Sequence, residues 1–275
     1  MASDPGQKPK KGIGKPDTLT RTGIIFALIC VVLSMMLDGG NPAVLFKLPA
    51  LVLVFGGTIA ASIAGVVKAD AKNVRSTVKK AFKSTVRDPD EDIQRMVGLA
   101  EVARREGLLA LERAAEGVED PFFKKGIELT VDGTDPEEIR DIMEGEIESQ
   151  RERHQAGIKF FTDMGGFSPT LGILGTVIGL VHVLANINSP GTLGPAIASA
   201  FTATLWGVLM ANLVWLPISN KLRRVSELEI NSRRLVLDGI LAIQAGSSPR
   251  MIEARLLSYL PQKERAAVQR KKAAA

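Results

Sequence analysis

The sequence predicts an all-α membrane protein with four transmembrane helices. A helical cytoplasmic domain separates the second and third spans, and a helical tail follows the fourth. The first observation behind this is segregation of charge. Residues 22–37, 48–67 and 164–220 contain no Asp, Glu, Lys or Arg, while charges of both signs crowd the remainder. A bilayer core takes about 20 apolar residues per helix. Segment 48–67 fits one crossing, and 22–37 is slightly short and extends into its flanks or tilts little. Segment 164–220 is long enough for two crossings, divided at NINSPGTLGP (186–195), where Pro and Gly predict a turn.

The second observation is where the loop charges lie. Lys8, Lys10, Lys11, Lys15 and Arg21 precede the first span, and Lys221, Arg223 and Arg224 follow the fourth. Seven basic residues from Lys68 to Arg87 follow the second span, against the single acid Asp70. The turns DGGNPA (38–43) and NINSPGTLGP carry neither Lys nor Arg. The positive-inside rule then places both termini and the large loop in the cytoplasm. The expected organisation is a basic leader (1–21), spans one and two (22–67), a cytoplasmic helical domain (68–163), spans three and four (164–220) and a cytoplasmic tail (221–275). A pI near 9.3 reports this topology and does not argue for nucleic-acid binding.

Taken in order, the first span is not a cleaved leader, because DGGNPA turns straight into another apolar run. Its Cys30 is the only cysteine, which excludes an intrachain disulfide and cysteine metal clusters. In the loop, Asp88 and Pro89 open a helix through Ile93, Val97 and Ala100, and Gly107 stops it. LLALERAAEG makes a short second helix, and a third runs from about Pro121 to Val131. At DGTDPEEIRDIMEGE, Asp135 caps, Pro136 opens, and Glu137 and Glu138 sit at the positive end of the helix dipole. No break follows up to Phe161, so this helix is predicted to continue into the third span as a stalk. The tail reads as a helix from 219, a break at SSP, and a second helix over MIEARLLSYL.

Several functions are excluded by absence. There is no G-x-x-x-x-G-K-[ST] loop, no H-E-x-x-H and no Ser elbow, and the two histidines, His154 and His182, are far apart. Nothing supports an enzyme. An ion path usually holds an intramembrane carboxylate, and the predicted spans hold none. Asp38 and Lys47 are interfacial, so a carboxylate for ion transport must come from a partner.

The third and fourth spans carry the candidate site. Gly172, Gly175 and Gly179 share one face, and Ala196, Ala200, Ala203, Gly207 and Ala211 another; small residues let helices approach closely in lipid. Thr170, Thr176, Thr202, Thr204 and Asn212 add polar groups. Any one threonine most simply bonds back to its own helix, but several on two helices predict a polar seam. Pro169 and Pro217 fall near the inner ends of the two spans and permit a bend there. Plain helix termination is the alternative, which Pro169 resists because helical patterning lies on both sides. His182 lies about 20 Å along the helix from Pro169 and is either part of an ion path or a neutral packing histidine.

The stretches VFGGTIAAS (54–62), ARREGLLALE (103–112), DGTDPEEIRDIMEGE (132–146), SPTLGILGTVIGL (168–180) and FTATLWGVLMANLVWLPISNKL (201–222) together resemble the MotA family. These are four-span subunits of the bacterial flagellar stator, with ExbB and TolQ as distant three-span relatives. The resemblance implies a bacterial inner-membrane protein. It implies a homo-oligomer, expected to be a pentamer, around two single-span MotB-like helices, each bringing one membrane Asp. The small-residue faces of spans three and four would line the central space. Pro169 and Pro217 match the family's functional prolines and Thr204 its span-four threonine, with Thr176 and Thr202 beside it on the ion path. Arg104 and Glu112, with Arg105 as alternate, match the charges that touch the rotor protein FliG. The resemblance implies no cofactor beyond the transported ion, H+ or Na+. Thr176 resembles sodium-type members and could offer Na+ a hydroxyl with Thr204; His182 resembles some proton-type members. The alternatives are an ExbB/TolQ-like proton channel energising outer-membrane transport or envelope maintenance, and a structural membrane scaffold.

Overall fold

A computed structural model describes residues 19–74, 89–116, 118, 120–185, 187–188, 190–262 and 265–266. These residues are helical throughout, with turns between helices and no strand among them. They divide into two units: residues 89–152 with 225–266, and residues 19–74 with 153–224.

In the second unit, α1 spans Leu19–Leu37. A second apolar helix, α2, covers Leu48–Ala64 and contains a π-turn at Val52–Gly56. Its N-cap is Lys47, and Asp38 lies in the turn after α1. Helix α1 buries none of its side chains and leaves Phe26, Ile29, Leu33 and Met36 exposed, a surface suited to lipid. Among the described residues, three helices are long and apolar enough to cross a membrane, and Leu48–Ala64 is a shorter apolar helix.

The first unit starts with α3 (Pro89–Glu106), closed by Gly107 in the left-handed region at φ +84°, as its position predicts. The expected cap at Asp88 lies outside the described residues. Next come α4 (Ala110–Ala115) and α5 (Pro121–Val131), the latter capped by Asp120, which accepts from the Phe122 N–H at 3.1 Å. Helix α6 runs unbroken from Pro136 to Ala185, 50 residues, with Asp135 accepting from the Glu137 N–H. Pro169 sits inside it, so the proline does not end the helix.

The predicted turn at 186–195 is shorter than its composition suggests. Helix α7 begins at Pro190 and holds Pro195 within it (Pro190–Met210). Pro190 opens the helix because the first N–H groups of any helix lack intrahelical acceptors. A π-turn, Ala211–Trp215, leads directly into α8 (Leu216–Gln244), so Pro217 is an early residue of a continuing helix and not a terminator. The tail ends in α9 (Pro249–Leu257), capped by Ser248.

Loop and tail share one core. Ile93 and Met96 of α3, Phe123 and Ile127 of α5, Ile139 and Met143 of α6, Ile240 of α8 and Ile252 of α9 pack together fully buried. Gly126 permits the approach: a Cβ there would lie 2.2 Å from Ile240 Cδ1. Arg233 stacks 4.6 Å from the Phe122 ring centroid and pairs with Asp120 at 3.7 Å.

Candidate functional site

Helices α6 and α7 touch backbone to backbone. A Cβ on Gly172 would lie 2.9 Å from the Ala203 carbonyl oxygen, one on Gly179 would lie 2.5 Å from Ala200 Cβ, and one on Gly207 would lie 2.5 Å from the Ser168 carbonyl oxygen. The small-residue faces thus hold two helices of one chain together. Close packing within the chain uses residues of both faces.

At that contact the hydroxyls of Thr176 and Thr204 hydrogen-bond to each other across the helices. Thr176 Oγ1 also lies 3.2 Å from the Gly172 carbonyl and 3.3 Å from that of Ala200, and Thr204 Oγ1 lies 3.1 Å from Gly172. Each hydroxyl has one proton and two lone pairs. One hydroxyl donates to the other, the second donates to a main-chain carbonyl, and lone pairs remain. Thr176 reaches the Gly172 carbonyl along its own helix, and the missing side chain at Gly172 is what lets Thr204 reach it from the facing one.

The other predicted residues separate from this pair. Thr202 is buried and donates to the Ala198 carbonyl of its own helix at 2.9 Å, and Thr170 and Asn212 likewise bond back. Thr202 stands two residues, about 200°, from Thr204, so the two point to opposite sides of α7. His182 is exposed in the last turn of α6, six residues and about 120° around the helix from Thr176; the structure does not bring it to the pair. Pro169 and Pro217 both flank the α6–α8 contact, where a Cβ on Gly165 would lie 2.5 Å from Leu216 Cδ2.

In the other unit, Arg104 and Arg105 occupy the last turn of α3, where cations complement the helix dipole. Glu112 lies on α4, beyond the Gly107 turn. All three are exposed, and Arg104 and Glu112 do not pair with each other among the described residues. Glu112 rims a hollow of about 360 Å³ together with Glu116, Lys124, Glu128 and Asp132. Among the described residues no group of three His, Cys, Asp or Glu side chains is placed to hold a metal ion.

Sequence reading missed three polar features. Trp206 Nε1 donates to the Leu45 carbonyl at 2.7 Å, Thr162 and Ser219 share a 2.7 Å hydrogen bond, and Ser62 and Ser168 are buried. The four-residue spacing of Thr58 and Ser62 in an apolar run was the legible signal for the last.

Two helices long and apolar enough to cross a membrane, packed glycine to backbone and bridged by hydroxyls, define the class: a helical membrane subunit. The family described as "MotA/TolQ/ExbB proton channel family" matches residues 114–234, and "Motility protein A N-terminal" matches residues 21–107. Motility protein A of Bacillus subtilis is 40% identical over 250 residues, 90% of this chain and 93% of that protein. Chemotaxis protein PomA of Vibrio alginolyticus is 35% identical, covering 91% and 98%. Among solved structures, that of C. jejuni MotAB matches with TM-score 0.86 at 29% identity over 90% of this chain and 96% of that one. The flagellar MotAB stator complex from Bacillus subtilis matches with TM-score 0.84 at 39% identity, over 90% and 98%. The chain belongs to the MotA family of flagellar stator subunits.

Proposed function

We propose that this subunit, with a MotB-like single-span partner, couples inward flow of H+ or Na+ across the bacterial cytoplasmic membrane to torque on the rotor. It acts by conduction and movement, with no catalysis and no cofactor beyond the ion. The chain crosses the membrane four times with both termini cytoplasmic. It assembles as a pentamer around two partner helices whose aspartates supply the carboxylate this sequence lacks. Arg104, Arg105 and Glu112 are the surface for the rotor protein FliG, acting by steering and geometry, because exposed ion pairs are individually weak.

The Thr176–Thr204 bridge is the observation that carries this reading. It offers two hydroxyl oxygens on facing apolar helices, which supports an ion path beside a partner Asp. The packing at Gly172 fixes their spacing, and Pro169 and Pro217 lie toward the inner ends of the same helices. The motility-specific match over residues 21–107 favours torque generation over an ExbB/TolQ-like role.

The test is rotation of tethered cells with this chain and its partner as sole stator, titrating sodium at fixed proton motive force. Rotation that rises with sodium makes Thr176 and Thr204 ligands, and Thr176→Ala then abolishes coupling. Sodium-independent rotation makes the protein a proton motor with the two threonines as packing residues. No rotation from an inserted, partnered protein overturns the reading.

A further inference from the structure

The inward face of α2 is a stripe spaced by four: Ala50, Val54, Thr58 and Ser62, all buried. Its outer half is apolar and packs on Ala203 of α7. Its inner half carries two hydroxyls, 0% and 1% exposed, and neither Thr58 Oγ1 nor Ser62 Oγ has a hydrogen-bond partner among the described residues. Ser168 of α6 is also fully buried with an unpartnered Oγ.

The packing register sets these three at one level. A Cβ on Gly175 would lie 3.1 Å from Leu53 Cδ2, and one on Gly57 lies 3.2 Å from Leu171 Cδ1. Four residues along α2 therefore match four residues back along α6, so the helices are antiparallel. The same register sets Ser168 level with Ala60, midway between Thr58 and Ser62. At 1.5 Å rise per residue all three hydroxyls fall within about 6 Å along the bundle. Gly207 of α7 closes one side against the Ser168 carbonyl. Pro169 has no N–H for the Gly165 carbonyl, which adds an acceptor within a turn of Ser168.

Three unpaired hydroxyls and a freed carbonyl in an apolar surround are a costly arrangement that a bound water relieves, since one water makes about three hydrogen bonds to such groups. We propose that Thr58, Ser62 and Ser168 line an internal water-binding site where α2, α6 and α7 meet. Ordered water there bridges α2 to the proline-interrupted turn of α6. The site rests on packing within one chain and not on which ion the protein carries, so it stands or falls apart from the torque reading.

The test compares Thr58→Val, which keeps the shape and removes the hydroxyl, with Thr58→Ser, which keeps the hydroxyl and removes a methyl. Each full-length variant is purified from membranes in its native assembly and melted, followed by Trp fluorescence. A hydrated site is expected to put Thr58→Val below Thr58→Ser, by about 2–4 °C in apparent Tm. A dry site gives the reverse order, because removing an unpaired hydroxyl stabilises and removing a methyl leaves a cavity; that order overturns the proposal. If the Thr58 variants do not accumulate, Ser168→Ala decides: a lowered Tm supports the water site and a raised or unchanged Tm overturns it.

Discussion

At the scale of single residues, the outcome for each threonine was decided by which carbonyl lay within reach. Thr202 and Thr170 satisfy themselves on their own helices, whereas Thr176 and Thr204 find each other because Gly172 removes the side chain that would separate them. Hydroxyl content was legible in the sequence; the pairing was not, since residues 28 apart reveal nothing of mutual distance. A second residue-scale feature is Tyr259, whose Oη donates to Asp238 at 2.6 Å. Partial burial, then the hydrogen bond and charge of Asp238, push its pKa up to about 12 from 10.0. The neutral phenol is the form favoured by folding. Its stabilisation is therefore complete below pH 10 and declines as pH rises from about 10 through 12. Tyr259→Phe is expected to remove that alkaline dependence, measured as apparent Tm against pH, and to cost about 1 kcal/mol or less at neutral pH because the ring is part-exposed.

At the scale of elements, helix starts and stops follow local rules. Pro121, Pro136 and Pro249 open helices, and Gly107 and Gly246 close them at positive φ. What local rules did not reveal were the π-turns at Val52–Gly56 and Ala211–Trp215, which depend on packing and not on propensity. The glycines of α6 and α7 separate by role in a checkable way. Gly207→Ala on the facing helix drives a methyl into the Ser168 carbonyl and is expected to cost about 1–3 kcal/mol or more. It should appear as reduced assembled protein in membranes. Gly145→Ala, with nothing within 4 Å, is expected to stabilise by up to about 1 kcal/mol. Equal behaviour of the two would mean that α6 and α7 do not make this contact in the assembled protein.

At the scale of the whole molecule, the chain divides into two units with separate cores. One holds the hydroxyl pair and the prolines, and the other displays Arg104, Arg105 and Glu112. Reversing the exposed charges, with Arg104→Glu or Glu112→Lys, is expected to reduce rotation strongly while leaving membrane abundance and apparent Tm unchanged, since such groups contribute about 0–1 kcal/mol to folding. Tethered-cell speed and immunoblotting of membranes read the two effects separately. A parallel fall in abundance and rotation would make these residues structural and remove them from the rotor surface.

The sequence by itself determined the all-helical class, the apolar helices, the segregation of charge between them and the loops, and where most helices start and stop. Each of these is a sum over local properties: hydropathy, charge and helix punctuation act within a few residues. Tertiary structure alone decided which small face meets which helix. It turned the small residues into an intrachain seam, left Thr202 bonded to its own helix, set His182 apart, and continued the helices through Pro169 and Pro217. Spacing along a helix fixes the angle at which a side chain leaves the axis. The partner it meets there depends on the register between helices, and that register is set only when the Gly172 and Gly207 backbones come into contact.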